Sequence, residues 1–119
     1  MRMAIRSVPA DTPASSAELS EIRAILGLSE AELADLFGLR RESVLGWRKH
    51  GIPANRQASV ARLLDLARIL HRDIQPERIP EIVRTPDAWL RHGTILETIK
   101  RDGPDAVYAY LRRLFAYSA

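Results

Sequence analysis

A chain of 119 residues has room for one domain or two very small ones, and its hydrophobic fraction of 46% is enough for a packed core. The absence of cysteine excludes disulfides, thiolate metal sites and a cysteine nucleophile. There is no long apolar run at the N-terminus and none elsewhere that could span a bilayer, so a cytoplasmic protein with no membrane partner is expected.

The net charge of +3 is modest, but it is unevenly spread. Residues 11–39 carry six acidic side chains and one basic, residues 40–72 carry eight basic and two acidic, and residues 73–119 carry seven of each. Positive charge is thus concentrated in the middle third, as a local phosphate-binding surface requires.

Residues 1–15, with Arg2, Arg6, Pro9 and Pro13, read as a flexible N-terminal arm. Ser15 and Glu18 have capping-box spacing and open a first helix over about Ser16 to Leu26. Leu19, Ile22 and Leu26 form its buried stripe, and Gly27 ends it.

The stretch Leu28 to Gly51 is the most informative part of the chain. Ser29 and Glu32 form a second capping box. Leu33, Leu36 and Phe37 repeat at helical spacing, and Gly38 supplies the left-handed residue that stops the helix. A new helix starts near Arg40, with Val44 and Trp47 as its inner stripe and Arg41, Glu42, Ser43, Arg48 and Lys49 on its other face. Two short amphipathic helices joined by a tight turn, the second one cationic, are the sequence form of a helix-turn-helix. The small Ala34, the turn glycine Gly38 and the anchors Val44 and Trp47 fall where that motif needs them. The predicted DNA contacts are Arg40, Arg41, Ser43, Arg48 and Lys49.

Pro53 breaks the chain at Ile52, and a long helix follows from about Pro53 or Ala54 to His71. Val60, Leu63, Leu64, Ala67 and Leu70 face one way, while Leu66 and Ile69 widen the stripe. Such a helix packs on two sides or forms a dimer seam. Its basic face, Arg56, Arg62, Arg68 and Arg72, is either a phosphate-binding surface or a solvated one. Ile79, Ile82 and Val83 then mark a short helix after a turn. Thr85-Pro86-Asp87 reads as a helix start, with Thr85 as cap and proline at the first position, and Arg91-His92-Gly93 reads as a break. Thr94 and Glu97 form a third capping box before Ile95, Leu96 and Ile99. Asp102-Gly103-Pro104-Asp105 is a sharp turn into a last helix carrying Val107, Tyr108, Leu111, Leu114 and Phe115. No strand periodicity is present, so an all-α fold is predicted.

Catalysis has little to stand on. His50, His71 and His92 are far apart in sequence, no glycine-rich phosphate loop is present, and Asp102 and Asp105 are explained by the turn they flank. The expectation is a non-enzyme with neither metal nor cofactor.

Residues 16–71 resemble the Xre-type helix-turn-helix. The segment Val83–Phe115, with its T-P-D element, W-L pair, T-I-L-E helix opening, D-G turn and L-R-R-L-F end, looks like the toxin-binding domain of the Xre/MbcA/ParS antitoxins. The resemblance divides the chain into an N-terminal helix-turn-helix bundle over residues 16–72 and a small helical toxin-binding domain over residues 73–119. It implies a type II antitoxin that neutralises a RES-domain, NAD-degrading toxin and represses its own operon, as a homodimer or a larger toxin–antitoxin hetero-oligomer. The alternative is a stand-alone repressor whose C-terminal helices only dimerise. Carried onto this chain, the toxin contacts implied are Trp89, Arg112, Arg113, Phe115, Tyr117, Ser118 and Ala119. Three positions depart from the family pattern: Arg40 stands where Ser or Thr often caps the recognition helix, Gly46 where a long polar residue is common, and Leu45 at a groove-facing or solvent-facing position. Phosphate contact is therefore expected to dominate over base readout.

Overall fold

The computed structural model describes residues 15–118, with side chains through Ala116. Apart from Ser15, the expected arm lies outside the described residues, as do Ala119 and the side chains of Tyr117 and Ser118. The described chain is all-α: α1 (Ser16–Leu26), α2 (Glu30–Leu36), α3 (Arg41–His50), α4 (Gln57–Asp73), α5 (Ile79–Ile82), α6 (Ile95–Asp102) and α7 (Asp105–Ser118). Single 3₁₀ turns precede α4 and α5, and a third spans Ala88–Leu90.

All three capping boxes form. At α2, Glu32 N–H donates to Ser29 Oγ (3.0 Å) and Ser29 N–H to Glu32 Oε1 (2.9 Å). At α6, Thr94 and Glu97 repeat the exchange at 3.0 and 2.8 Å. At α1, Ser15 N–H donates to the Glu18 carboxylate. Each box satisfies backbone donors that a helix start leaves without partners. α3 is the exception, because Arg40 makes no side-chain cap.

α1 lies along α4, and α2 and α3 pack on each other beneath them. Leu19, Ile22, Leu26, Leu33, Val44, Val60, Leu63, Leu66 and Leu70 are essentially inaccessible. All six core-facing residues of α4, Val60, Leu63, Leu64, Leu66, Ala67 and Leu70, are buried within the chain, so its broad stripe is an internal feature and not a free seam.

Residues 73–116 do not stand apart from the bundle. Ile79, Val83, Leu90, Ile95, Ile99, Val107 and Leu111 belong to the same core cluster as the N-terminal helices. Pro80 explains how closely α5 approaches α1. Gly27 is left-handed at φ +67°, and a Cβ built there would lie 2.6 Å from Pro80 Cγ. Glycine is required at that position both by the conformation and by the clearance. Arg84 fastens the same junction, donating to the Gly27 carbonyl at 2.7 Å and to both Glu32 oxygens at 3.0 Å. Lys100 reaches Asp35 at 2.8 Å, tying α6 to α2.

The T-P-D element differs from its expected form. Asp87, not Thr85, caps the following turn, with its carboxylate accepting from Trp89 N–H at 2.8 Å. The Thr85 hydroxyl instead donates back to the Glu81 carbonyl at 2.7 Å and closes α5. Only one turn follows, because Arg91 and His92 both turn left-handed, at φ +58° and +64°. That conformation costs a residue with a Cβ about 1–2 kcal/mol. It is held by a bridge in which Asp87 N–H donates to the Gly93 carbonyl (3.1 Å) and His92 N–H to the Asp87 carbonyl (2.9 Å).

Candidate functional site

The α2–α3 pair is seated from the inside. Trp47 is buried and meets Phe37 edge-to-face, with ring centroids 5.4 Å apart. Val44, one turn earlier on α3, is fully buried. With that face fixed, Arg41, Glu42, Ser43, Leu45 and Lys49 are exposed on the other side, and Arg40 is exposed at the helix start.

The predicted DNA contacts separate into two groups. The side chains of Arg40, Arg41 and Lys49 make no hydrogen bond or ion pair among the described residues; Arg41 only adds positive charge at Glu30. Ser43 is exposed on the same helix. The start of α3, with backbone donors that no side chain caps, lies beside Arg40 and Arg41 and adds the partial positive charge of a helix N-terminus.

Arg48 corrects the expectation. It turns inward and is only 19% exposed. Its Nε and Nη2 donate to the two Glu30 oxygens at 3.0 and 2.8 Å, and its Nη1 donates to Ser16 Oγ (3.0 Å) and Ser20 Oγ (2.8 Å). Arg48 therefore staples α3 to the starts of α2 and α1. These bonds hold the Glu30 carboxyl below its usual range, against the opposing effect of burial. The signal for this was present in the sequence. Arg48 lies four residues after Val44 and one after Trp47, on the edge of the buried stripe.

The basic face of α4 is committed elsewhere. Arg62 pairs with Asp105, Arg68 forks onto Glu21 at 2.6 and 2.8 Å, and Arg72 pairs with Asp73 at 2.9 Å. Arg56 reaches the Phe37 carbonyl at 3.4 Å. Of the two cationic surfaces foreseen, α3 is the one left uncompensated.

A second constellation forms at the far end. Trp89 is 58% exposed, and Arg113 Cζ sits 3.6 Å from its ring centroid. Tyr110 donates to Asp87 Oδ2 at 3.2 Å, so α7 also braces the left-handed loop. Burial, then the neighbouring Asp87 charge, pushes the Tyr110 hydroxyl pKa up. Trp89 and Arg113 are thus brought together across 24 residues. The exposed Arg112 side chain makes no hydrogen bond or ion pair among the described residues, and Phe115 is half-buried against the core. Tyr117, Ser118 and Ala119, as proposed contacts, lie outside the described side chains. His50, His71 and His92 are exposed on separate elements.

No protein-family model matches the chain, and no curated protein matches it at a significant level.

Proposed function

We propose that this protein is a type II antitoxin that binds its operator DNA through α3 and neutralises a cognate RES-domain toxin through its C-terminal region. The observation that carries the DNA-binding half is the outward face of α3. Among the described residues the side chains of Arg40, Arg41 and Lys49 have no hydrogen-bond or ion-pair partner there, while the arginines along α4 and its preceding turn are all engaged. A surface whose cations have no internal acid to satisfy is the one available to phosphates. The toxin-binding half rests on the resemblance of Val83–Phe115 and is supported by the exposed Trp89–Arg113 stack. An exposed aromatic paired with arginine has the composition of an interface hot spot. The stand-alone repressor with dimerising C-terminal helices has weaker support. Among the described large apolar side chains only Leu45 and Trp89 are exposed, too little for an obligate dimer face.

Co-expression with a RES-domain toxin tests the proposal. The expected result is restored growth and a restored NAD pool, lost on Trp89→Ala with Arg113→Ala in a folded protein. Operator binding without rescue would favour the repressor.

A further inference from the structure

Leu45 is one of two large apolar side chains exposed among the described residues, at 37%. A single exposed leucine usually needs no account. This one sits midway between two uncompensated cations on one helix face, with Arg41 four residues before it and Lys49 four after. At 1.5 Å per residue, each lies about 6 Å along the axis from Leu45. Beside it is Gly46, in the middle of α3. A Cβ built at Gly46 meets no atom within 4 Å, so nothing among the described residues requires a glycine there. Its effect is external, leaving the backbone next to Leu45 bare so that a ligand can come close.

The charge around Leu45 points to the ligand. An apolar protein surface would bury Arg41 and Lys49 without partners, which is costly. The major groove of DNA offers phosphates to the cations and one apolar group among its base edges, the thymine C5-methyl. We infer that Leu45 reads a thymine methyl in the major groove, with Gly46 providing the clearance and Arg41 and Lys49 holding the flanking phosphates. The inference rests on the proposal that α3 binds DNA, and adds an apolar base contact to the phosphate contacts expected from the sequence.

The test removes the methyl group from the base on one side and the leucine side chain beyond Cβ on the other. The full chain is used to select from a random 20-base-pair duplex pool, and the enriched duplex is re-synthesised with each thymine replaced in turn by deoxyuridine. Affinities are measured by fluorescence anisotropy. One position per site is expected to lose about fourfold, the equivalent of about 0.8 kcal/mol for a buried methyl at 1.4 kcal/mol per tenfold. Leu45→Ala is expected to weaken the thymine duplex at least as much and to be indifferent to deoxyuridine at that position. Circular dichroism should show wild-type helicity for this variant, since the side chain lies outside the core. Enrichment with no deoxyuridine-sensitive position, binding without enrichment, or deoxyuridine sensitivity that persists in Leu45→Ala would each overturn the inference while leaving α3 as a DNA-binding helix. A wild-type chain that binds no duplex would overturn both.

Discussion

Four cations accompany α3 (Arg40, Arg41, Arg48 and Lys49) and four run along α4 and the 3₁₀ turn before it (Arg56, Arg62, Arg68 and Arg72). In sequence the two sets look alike. In the fold, α4 has every one of its arginines on an acid or a carbonyl, whereas α3 surrenders only Arg48. The difference lies in the neighbours. α4 runs beside Glu21 of α1 and meets Asp105 at the start of α7. Among the described residues the outward side of α3 has no element packed over it and holds only Glu42 as an acid. A count of positive residues therefore overstates the unpaired cationic surface, and pairing decides it.

The contrast depends on α3 being held in place, so the largest expected effect comes from its anchor. Trp47→Ala should cost about 3–5 kcal/mol, read from chemical denaturation, and take the N-terminal bundle with it. A stable variant that loses only DNA affinity would show that Trp47 is a contact and not an anchor.

Arg48→Ala tests whether the fourth cation of α3 belongs to the fold. The expected cost is about 1–3 kcal/mol, because Glu30 loses charge-assisted bonds at a half-buried site. The salt dependence of DNA binding should not change. A pH effect accompanies this. Glu30 titrates lower in the folded chain than its unfolded value near 4.5, so the unfolded state binds more protons below that pH. The stabilisation is complete above pH 4.5 and fades as pH falls through the folded value. Wild type should therefore lose more stability on acidification than Arg48→Ala, and equal losses would remove Arg48 as the cause.

Gly46→Ala should raise stability by about 1 kcal/mol, since the added methyl meets open space and alanine favours the helix. A melting temperature unchanged or lowered would mean that α3 needs its glycine internally.

The smallest effect on stability, within about 0.5 kcal/mol, is expected for Arg41→Ala with Lys49→Ala. This pair gives the clearest separation in binding. The slope of log affinity against log salt should fall by about two, one per lost phosphate contact. Arg62→Ala with Arg68→Ala should leave that slope untouched. Equal slopes in both double variants would abolish the distinction between the two helices.

Much of this architecture was legible from short-range pattern. The three capping boxes, the glycine stop at Gly27 and the stripes of α1, α2 and α4 all involve residues a few positions apart, and the local backbone satisfies them wherever the helix ends up. The T-P-D element shows where such pattern fails. Thr85 and Asp87 both have capping chemistry, and the choice of Asp87 is made by the Gly93 bridge and by Tyr110 arriving from α7. The site divides in the same way. Val44 and Trp47 announced which face of α3 is inward, and hence which side Arg41, Leu45 and Lys49 present.

Which cations stay free was another matter. Arg48 finds Glu30 across 18 residues, Arg62 finds Asp105 across 43, and Arg68 finds Glu21 across 47. Trp89 meets Arg113 by the same kind of long-range accident of packing. The sequence by itself determined the helices and their buried faces, because helical periodicity and caps act within about one turn. Only the tertiary structure decided the joining of residues 73–116 to the bundle core and the pairing of each charge. Those depend on which helix surfaces meet, and no local pattern records that.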